Sequence, residues 1–440
     1  MTAAVLIAAP ASGEGKTTLA CALARLHARA GARVRAFKCG PDFLDPQWLA
    51  LASGAPVHGL DLWINGEADC AQRLAHAAAE ADLIIIEGVM GLHDGEPSAA
   101  DLALRFQVPV LAVVDASAMA GTLAAVAHGL QTWRPGLPWA GVMANRVAGA
   151  RHAQMLQQAV GERMPWGGAL MRDDSFTLPS RHLGLAGAAE LPDALARLDR
   201  AADALAATPL GSRPLADWPP WQPPTAGPAA GLPLLLAGRR IAVARDAAFA
   251  FIYAANLDTL RRMGAELRFF SPLAGDALPD CDAVLLPGGY PELHAVRLAE
   301  RTDLREQLAA HLAASRPVWA ECGGMMALAD TLVDGNGSAH ALWGLLPGTA
   351  VLGKRLAALG PHAWAPQGPQ AAPGQTLRGH SFHWSRFDTP LVPWQRTSPA
   401  RGAAAGDGEP IYRHGALKAS WFHPWFASAP ALAAQLFLPD

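Results

Sequence analysis

The chain has 440 residues, well above the size of one domain, so at least two domains are expected. Its 35 Lys and Arg nearly balance its 38 Asp and Glu, and a net charge of −3 gives no electrostatic case for nucleic acid or a membrane surface as partner. A hydrophobic fraction of 51% excludes a disordered chain, and the five scattered cysteines argue against disulfides or a zinc site. Without a leader or a membrane-length apolar run, we expect a cytoplasmic protein.

Short apolar runs that alternate with helical stretches predict a parallel sheet in the first half of the chain. Its strands are expected at residues 5–8, 34–37, 83–86, 110–114 and 141–144. The proline-rich segment 208–238 predicts a linker, because proline neither continues a helix nor donates to a sheet. The rhythm then restarts, with strands expected at 241–244, 267–270, 283–286 and 318–320, a helix over 292–314, and mostly strands and loops beyond 348. Two α/β domains are therefore predicted, 1–207 and 239–440.

Residues 9–18, APASGEGKTT, lie between a predicted strand and a predicted helix, which is the context of a phosphate-binding loop. Lys16 would reach the β and γ oxygens of ATP, and the Thr17 hydroxyl would ligate Mg²⁺. Pro10 stands where the strict motif has glycine, so a turn that binds nothing is the alternative. The predicted ATP-binding residues of the loop are Ser12, Gly13, Gly15, Lys16, Thr17 and Thr18.

Polar side chains follow three further strands, at the edge where open α/β sheets bind ligands. They supply a cation for phosphate and carboxylates for Mg²⁺ or for the substrate. Taken singly, each acid is equally well a helix cap or a turn residue. Asn145 could contact the adenine ring of ATP or be a turn residue. The residues after the second and third strands are Lys38, Asp42, Asp45, Glu87 and Asp94.

Residues 317–328, PVWAECGGMMAL, predict a strand, a sharp turn at Cys322 and a helix, which is the arrangement of a nucleophile elbow. The helix is expected to lower the thiol pKa, and the N–H groups of Gly289 and Gly323 to form an oxyanion hole. A buried, inert cysteine is the alternative. The thiol also needs a base, and the pattern does not choose among the candidates His380, His383 and His423.

Together these motifs resemble, nearly end to end, the family of cobyrinic acid and hydrogenobyrinic acid a,c-diamide synthases. The resemblance also covers LPSRHLGL at 178–185, PGGYPE at 287–292 and GHSFH at 379–383. It implies a P-loop domain with a doubly wound, mostly parallel sheet, similar to dethiobiotin synthetase, followed by an α/β class I glutamine amidotransferase domain. The implied activity is an ATP-dependent ligase of cobalamin biosynthesis, which amidates the a and c acetate groups of a corrinoid with ammonia from glutamine.

The resemblance also implies roles for single residues, with Cys322 as the nucleophile and His423 as its base. A substrate carboxylate would take the γ-phosphate of ATP, and ammonia would then displace phosphate. The remaining implied roles are charge stabilisation by Lys16 and Lys38, Mg²⁺ binding by Thr17, Asp42 and Glu87, positioning of the acyl phosphate or ammonia by Asp45 and Asp94, and corrinoid binding by Arg181 and His182.

One departure concerns Trp425, which stands where class I amidotransferases have a glutamate two residues after the histidine. The third member of the catalytic site is therefore absent or comes from elsewhere in the chain, and only a Cys/His pair is predicted. Nickel-sirohydrochlorin a,c-diamide synthase and cobyric acid synthase share the motifs and stay as alternatives. A regulatory ATPase of the ParA/MinD type would need only the first domain. A homodimer is the default expectation.

Overall fold

The computed structural model describes residues 2–181, 184–185, 187–227, 231–366, 375–400 and 408–439. The chain forms two compact units, Met1–Ala229 and Ala230–Asp440, and their boundary falls inside the segment expected as a linker. Within that segment Trp221 is buried in the first unit and Leu236 in the second. No helix within the described ranges is long and apolar enough to cross a bilayer.

The first unit contains nine described strands and seven described α-helices. The strands are β1 (Ala3–Ala8), β2 (Val34–Cys39), β3 (His58–Leu60), β4 (Leu83–Glu87), β5 (Val110–Asp115), β6 (Trp139–Val147), β7 (Trp166–Met171), β8 (Ser180–Arg181) and β9 (Gly184–Leu185). The α-helices are α1 (Lys16–Arg29), α2 (Asp45–Ser53), α3 (Glu67–Glu80), α4 (Ala99–Phe106), α5 (Thr122–Thr132), α6 (Ala150–Val160) and α7 (Ala194–Ala206). A π-helix at Leu62–Gly66 and 3-10 helices at Ala188–Glu190 and Leu215–Asp217 complete the unit.

The main sheet of the first unit is parallel, in the order β3-β2-β4-β1-β5-β6-β7. All six residues of β1 are buried and apolar, because alternate side chains pack against α1 and α7 on one face and α3 and α4 on the other. Strand β4 runs between β1 and β2, with Glu87 in register with Ile7 and Lys38. This register brings the phosphate loop, Lys38 and Glu87 to one edge, and it confirms the predicted doubly wound sheet.

The second unit is richer in strands. Its described strands are β10 (Arg240–Ala244), β11 (Glu266–Phe270), β12 (Ala283–Leu286), β13 (Val318–Glu321), β14 (Ala329–Val333), β15 (Ala339–Ala341), β16 (Leu346–Leu352), β17 (Ala358–Trp364), β18 (Leu377–His383), β19 (Ser385–Asp388), β20 (Gln395–Arg396), β21 (Ser398–Pro399), β22 (Pro410–His414), β23 (Leu417–Ser420) and β24 (His423–Pro424). The α-helices are α8 (Ala254–Arg262), α9 (Ala295–Ala299), α10 (Thr302–Ala313), α11 (Gly323–Leu328) and α12 (Pro430–Gln435), with 3-10 helices at Pro291–His294 and Phe426–Ser428.

The main sheet of the second unit has the order β11-β10-β12-β13-β23-β22-β20 and is parallel from β11 to β23. Strand β13 lies in its middle and delivers Cys322 to the carboxyl edge. The prediction of one helix over 292–314 is wrong, because a 3-10 helix, α9 and α10 occupy this stretch. The backbone leaves the helical region at Arg301, and the guanidinium of this residue donates to the carbonyls of Pro272 and Asp276.

Candidate active site

The loop between β1 and α1 depends on glycine. Gly13 and Gly15 have φ values of +84° and +103°, a region that other residues adopt only with strain. A Cβ on Gly15 would also lie 2.1 Å from Asn145 Nδ2, which donates to Glu14 O at 2.8 Å. Asn145 therefore supports the loop from β6, and its contact with adenine stays a prediction. Ser12 and Gly13 are exposed at the loop surface.

Lys16 lies between this loop and the segment after β4. Its ammonium group donates to Ala11 O at 3.0 Å and to Met90 O at 2.6 Å. Burial lowers the pKa of Lys16 and the neighbouring Lys38 lowers it further, although nearby carboxylates oppose both effects. Because two neutral carbonyls compensate a buried cation poorly, an anionic ligand such as phosphate is a better partner for this ammonium.

A buried ion-pair cluster occupies the ends of β2 and β4. Lys38 Nζ lies 2.7 Å from Asp45 Oδ2 and 3.2 Å from Glu87 Oε1, and it donates to Gly88 O at 3.1 Å. Burial lowers the pKa of Lys38, but the three carboxylates around it outweigh burial and raise that pKa above its usual range. The lysine is therefore charged, and each of its three N–H donors already has a partner.

Thr17 and Glu87 fit a divalent cation. Thr17 Oγ1 lies 2.6 Å from Glu87 Oε1, while Glu87 Oε2 is buried with no hydrogen-bond partner in the described part of the chain. Burial, with Asp45 adding to it, raises the pKa of Glu87 to about 8. A bound cation would compensate this desolvated carboxylate. No group of three or more His, Cys, Asp or Glu among the described residues could hold a metal alone, so phosphate and water would complete the ligand set.

Asp42 and Asp94 both close turns beside this cluster. Asp42 Oδ1 accepts from the N–H groups of Leu44 at 2.7 Å and Asp45 at 3.0 Å, where the chain enters α2. Burial, with Asp45 adding to it, raises the pKa of Asp42 to about 6. Asp94 Oδ2 accepts from Gly91 N at 2.8 Å. Both acids therefore have the turn-forming contacts that were the alternative to a ligand role, and metal or substrate binding by them stays a prediction.

The residues expected to bind the corrinoid lie after β7. The backbone of Arg181 belongs to β8, which pairs antiparallel with β9. His182 lies outside the described residues.

Cys322 occupies a sharp turn between β13 and α11. Its φ of +46° with ψ of −106° is strained for a residue with a side chain, at a cost of about 1–3 kcal/mol. Two backbone hydrogen bonds hold the turn, from Cys322 N to Ser420 O at 2.7 Å and from Met326 N to Cys322 O at 3.0 Å. A strained and well-anchored cysteine at a strand end is typical of a nucleophile elbow.

Cys322 is buried, at 6% exposure. Burial raises its pKa, Glu292 raises it further, and the N–H of Gly323 lowers it only in part. The first N–H of the helix therefore acts in the expected direction, but desolvation outweighs it and the net pKa of the thiol is raised. The raised pKa favours the thiol over the thiolate, so attack by this sulfur depends on a neighbouring base.

The two predicted oxyanion donors belong to adjoining backbone segments. A Cβ on Gly323 would lie 2.8 Å from both the N and the O atoms of Gly289, and a Cβ on Gly289 would lie 2.1 Å from Ala248 O. Neither position accommodates a side chain. The backbones of the two glycines therefore lie close together beyond the ends of β12 and β13, and their role as oxyanion donors stays a prediction.

The three candidate histidines separate into two groups. His423 of β24 is in register with His380 of β18, and the two rings stack with centroids 5.1 Å apart. His380 Nδ1 lies 3.0 Å from the Tyr253 hydroxyl, and burial, with His423 adding to it, lowers the pKa of His380 well below its usual value. His383 instead contacts Glu409 Oε1 through Nε2 at 3.2 Å, in a separate buried network.

Glu321, directly before the cysteine, is a site residue that the sequence does not predict. Its Oε2 lies 3.2 Å from His423 Nδ1, and its Oε1 accepts from Trp319 Nε1 at 2.8 Å. The Cε1 edge of the imidazole, next to Nδ1, faces Gly288, where a Cβ would lie 2.6 Å from His423 Cε1. The available signal was a glutamate at the end of an otherwise apolar, buried strand, since such a carboxylate needs a partner.

A phosphate loop with carboxylates and a thiol elbow with a histidine define a nucleotide-dependent glutamine amidotransferase. Residues 5–185 match the family model of the CobQ/CobB/MinD/ParA nucleotide binding domain, and residues 240–430 match that of the CobB/CobQ-like glutamine amidotransferase domain. Both predicted domain classes are thereby confirmed.

Curated relatives match the whole chain. The hydrogenobyrinate a,c-diamide synthase of Stutzerimonas stutzeri is 54% identical over 99% of this chain and 98% of its own length. That of Pseudomonas aeruginosa is also 54% identical, over 99% and 97%, and the cobyrinate a,c-diamide synthase of Herminiimonas arsenicoxydans is 45% identical, over 99% and 97%. The chain belongs to the hydrogenobyrinate and cobyrinate a,c-diamide synthase family. It is an ATP-dependent, glutamine-hydrolysing carbon–nitrogen ligase.

Proposed function

We propose that this chain amidates the a and c acetate carboxylates of a corrinoid, cobyrinate or hydrogenobyrinate, in cobalamin biosynthesis. The observation that carries the proposal is the presence in one chain of a phosphate loop beside buried carboxylates and of a buried cysteine whose strand neighbour, Glu321, contacts His423. The names of the full-length relatives support the choice of substrate. Each unit supplies what the other lacks, an activated carboxylate in one and ammonia in the other.

The first unit activates the substrate carboxylate. A carboxylate cannot expel oxide, so one of its oxygens attacks the γ-phosphorus of ATP, ADP leaves and an acyl phosphate forms. Lys16 and the loop N–H groups bind the phosphates, and Thr17 and Glu87, with Asp42 nearby, would hold Mg²⁺. The cation, when bound, offsets the negative charge of the phosphate oxygens. Lys38 is the second cation at this edge.

Ammonia then attacks the acyl carbon, inorganic phosphate leaves and the amide forms. Asp45 and Asp94 lie at the same sheet edge and are proposed to position the acyl phosphate or to accept the proton that ammonia loses. Arg181 and His182 are proposed to bind other carboxylates of the corrinoid. The same reaction, repeated at the second acetate, gives the diamide.

The second unit releases the ammonia. His423 takes the proton of the Cys322 thiol, and the sulfur attacks the side-chain amide carbon of glutamine. The N–H groups of Gly289 and Gly323 bind the amide oxygen as it becomes negative. Ammonia leaves with the returned proton, and water hydrolyses the γ-glutamyl thioester to glutamate. The base matters here because burial raises the pKa of the thiol and so disfavours the thiolate.

The division of labour is tested by Cys322→Ala, which should abolish glutamine-dependent amidation and retain amidation with ammonium salt. The matched control is Cys281→Ala, since Cys281 is also buried and lies 3.8 Å from a histidine nitrogen, that of His311. It should retain both activities. Loss of the ammonium-dependent activity in a folded Cys322→Ala protein would contradict the assignment.

The substrate is tested by assaying hydrogenobyrinic acid, cobyrinic acid and nickel-sirohydrochlorin in parallel, with the diamide product identified by mass. We expect a corrinoid to have the highest kcat/KM. Preferred turnover of nickel-sirohydrochlorin would overturn the corrinoid assignment and would leave the two-unit mechanism intact.

A further inference from the structure

The imidazole of His423 is held by a carboxylate on one specific nitrogen. Glu321 Oε2 lies 3.2 Å from His423 Nδ1, and both side chains are almost completely buried, with 6% and 1% exposure. A carboxylate only accepts hydrogen bonds, so the ring must donate through Nδ1–H. The neutral ring then carries its lone pair on Nε2, which is the form that accepts a proton.

The carboxylate is itself fixed. Its second oxygen, Oε1, accepts from Trp319 Nε1 at 2.8 Å, and Trp319 lies two residues earlier in the same strand, fully buried. Both donors and both oxygens are therefore paired inside the protein. Such a carboxylate has one orientation, because rotating it would break two buried hydrogen bonds.

The chain around His423 is held as firmly. Asn256, buried in α8, donates to Pro424 O at 2.8 Å and accepts from Phe426 N at 2.9 Å. The position two residues after the histidine holds Trp425, whose ring packs edge-on against Tyr253 with centroids 5.0 Å apart. This position supplies no carboxylate, so Glu321 is the acid that the structure places on His423.

We propose that Glu321 is the positioning residue of the thiol site, holding His423 in the tautomer whose Nε2 accepts the proton of Cys322. The inference rests on the proposed roles of Cys322 and His423. It converts the predicted Cys/His pair into a three-residue unit in which the acid and the nucleophile are consecutive in the chain. A purely structural Glu321 would serve only as the acceptor for Trp319.

Glu321→Gln separates these two roles. The amide has nearly the shape of the carboxylate, but one end is a donor. With its oxygen on Trp319 Nε1–H, its NH₂ group faces His423 Nδ1 and favours the opposite tautomer, in which Nε2 is protonated and cannot act as a base. We expect the kcat of glutaminase to fall on the order of 10³–10⁴-fold, as in other triads whose orienting acid is amidated. The KM for glutamine and the ammonium-dependent amidation should remain unchanged.

Two further variants accompany this one. Glu321→Asp keeps the charge on a shorter side chain and should recover at least about tenfold in kcat relative to the glutamine variant. Glu409→Gln is the matched control, because Glu409 is also a buried carboxylate on a histidine, His383, in the same unit. Its glutaminase kcat should stay within about threefold of wild type.

The inference is overturned if folded Glu321→Gln keeps more than about a tenth of the wild-type kcat, if KM rises instead of kcat falling, or if Glu409→Gln loses as much. If the glutamine variant does not fold, Glu321→Asp decides alone: a loss of kcat at constant KM supports the inference, and wild-type kcat overturns it. If the inference is overturned and Cys322→Ala also retains glutaminase activity, the proposed function fails as well. If the inference is overturned but Cys322→Ala has lost glutaminase activity, only the role of Glu321 is lost.

Discussion

Replacing Gly288 by alanine is expected to displace His423 without removing any group that reacts. The added Cβ would lie 2.6 Å from His423 Cε1, and 3.2 and 3.3 Å from two carbons of Phe251. Non-bonded carbon atoms rest at about 3.5–4.0 Å, so the imidazole has to move by about 1 Å. Glu321 holds the same ring through Nδ1 at 3.2 Å, and the movement strains or breaks that contact.

The size of the effect follows from this displacement. A catalytic group that is misplaced by about 1 Å costs on the order of 10²-fold in rate, which corresponds to about 2.7 kcal/mol of transition-state stabilisation. We therefore expect the glutaminase kcat of Gly288→Ala to fall about 100-fold. Amidation with ammonium salt should not change, because it does not use His423.

The assay compares glutamate release with ammonium-dependent amidation, and thermal melting establishes that the variant is folded. Gly335→Ala is the matched control in the same unit, because its Cβ would meet only Leu352 Cδ2, at an ordinary 3.4 Å. This control should keep wild-type kcat. If folded Gly288→Ala keeps glutaminase within about threefold of wild type, the imidazole is not used from the position that the structure gives it, and the reasoning is refuted.

Two further predictions concern the phosphate loop and acid stability. Gly15→Ala places a Cβ 2.1 Å from Asn145 Nδ2 and should weaken ATP binding at least about tenfold, measured by calorimetry; an unchanged Kd contradicts it. Burial lowers the pKa of His380, so its stabilising contribution is complete above the unfolded pKa of about 6.5 and is lost as pH falls. When the pH is lowered from well above 6.5 to 5.5, the unfolding free energy of wild type should fall by about 1.4 kcal/mol more than that of His380→Asn. Equal losses for the two proteins, measured by urea unfolding, would contradict this.

The central strands of both main sheets are predictable from the sequence because they are covered on both faces and are continuously apolar. Strand β3 is only three residues long and half-buried, and β7 contains two glycines, so neither gives this signal. The break between α9 and α10 is also hidden, since Arg301, which lies at the break, makes its side-chain contacts to carbonyls in another loop. The pattern of apolar residues along the sequence therefore predicts those elements whose side chains are buried uniformly on both faces.

The same distinction holds at the sites. The phosphate loop and the elbow at Cys322 are local motifs, and their residues are consecutive. The contact between Glu321 and His423 joins residues 102 positions apart, and no spacing rule brings them together. The direction of the thiol pKa likewise depends on burial by distant segments, which a helix following the cysteine in sequence does not reveal.

The adjacency of Glu321 and Cys322 has a mechanical consequence. Both residues are carried by the end of β13, so a displacement of this strand moves the acid and the thiol as one body. The alignment of the three side chains then depends on the placement of His423 alone. Asn256 and the partner strand β18 hold the backbone at this residue. Transplanting this chemistry to another scaffold would require one strand end and one docked imidazole, in place of three independently placed side chains.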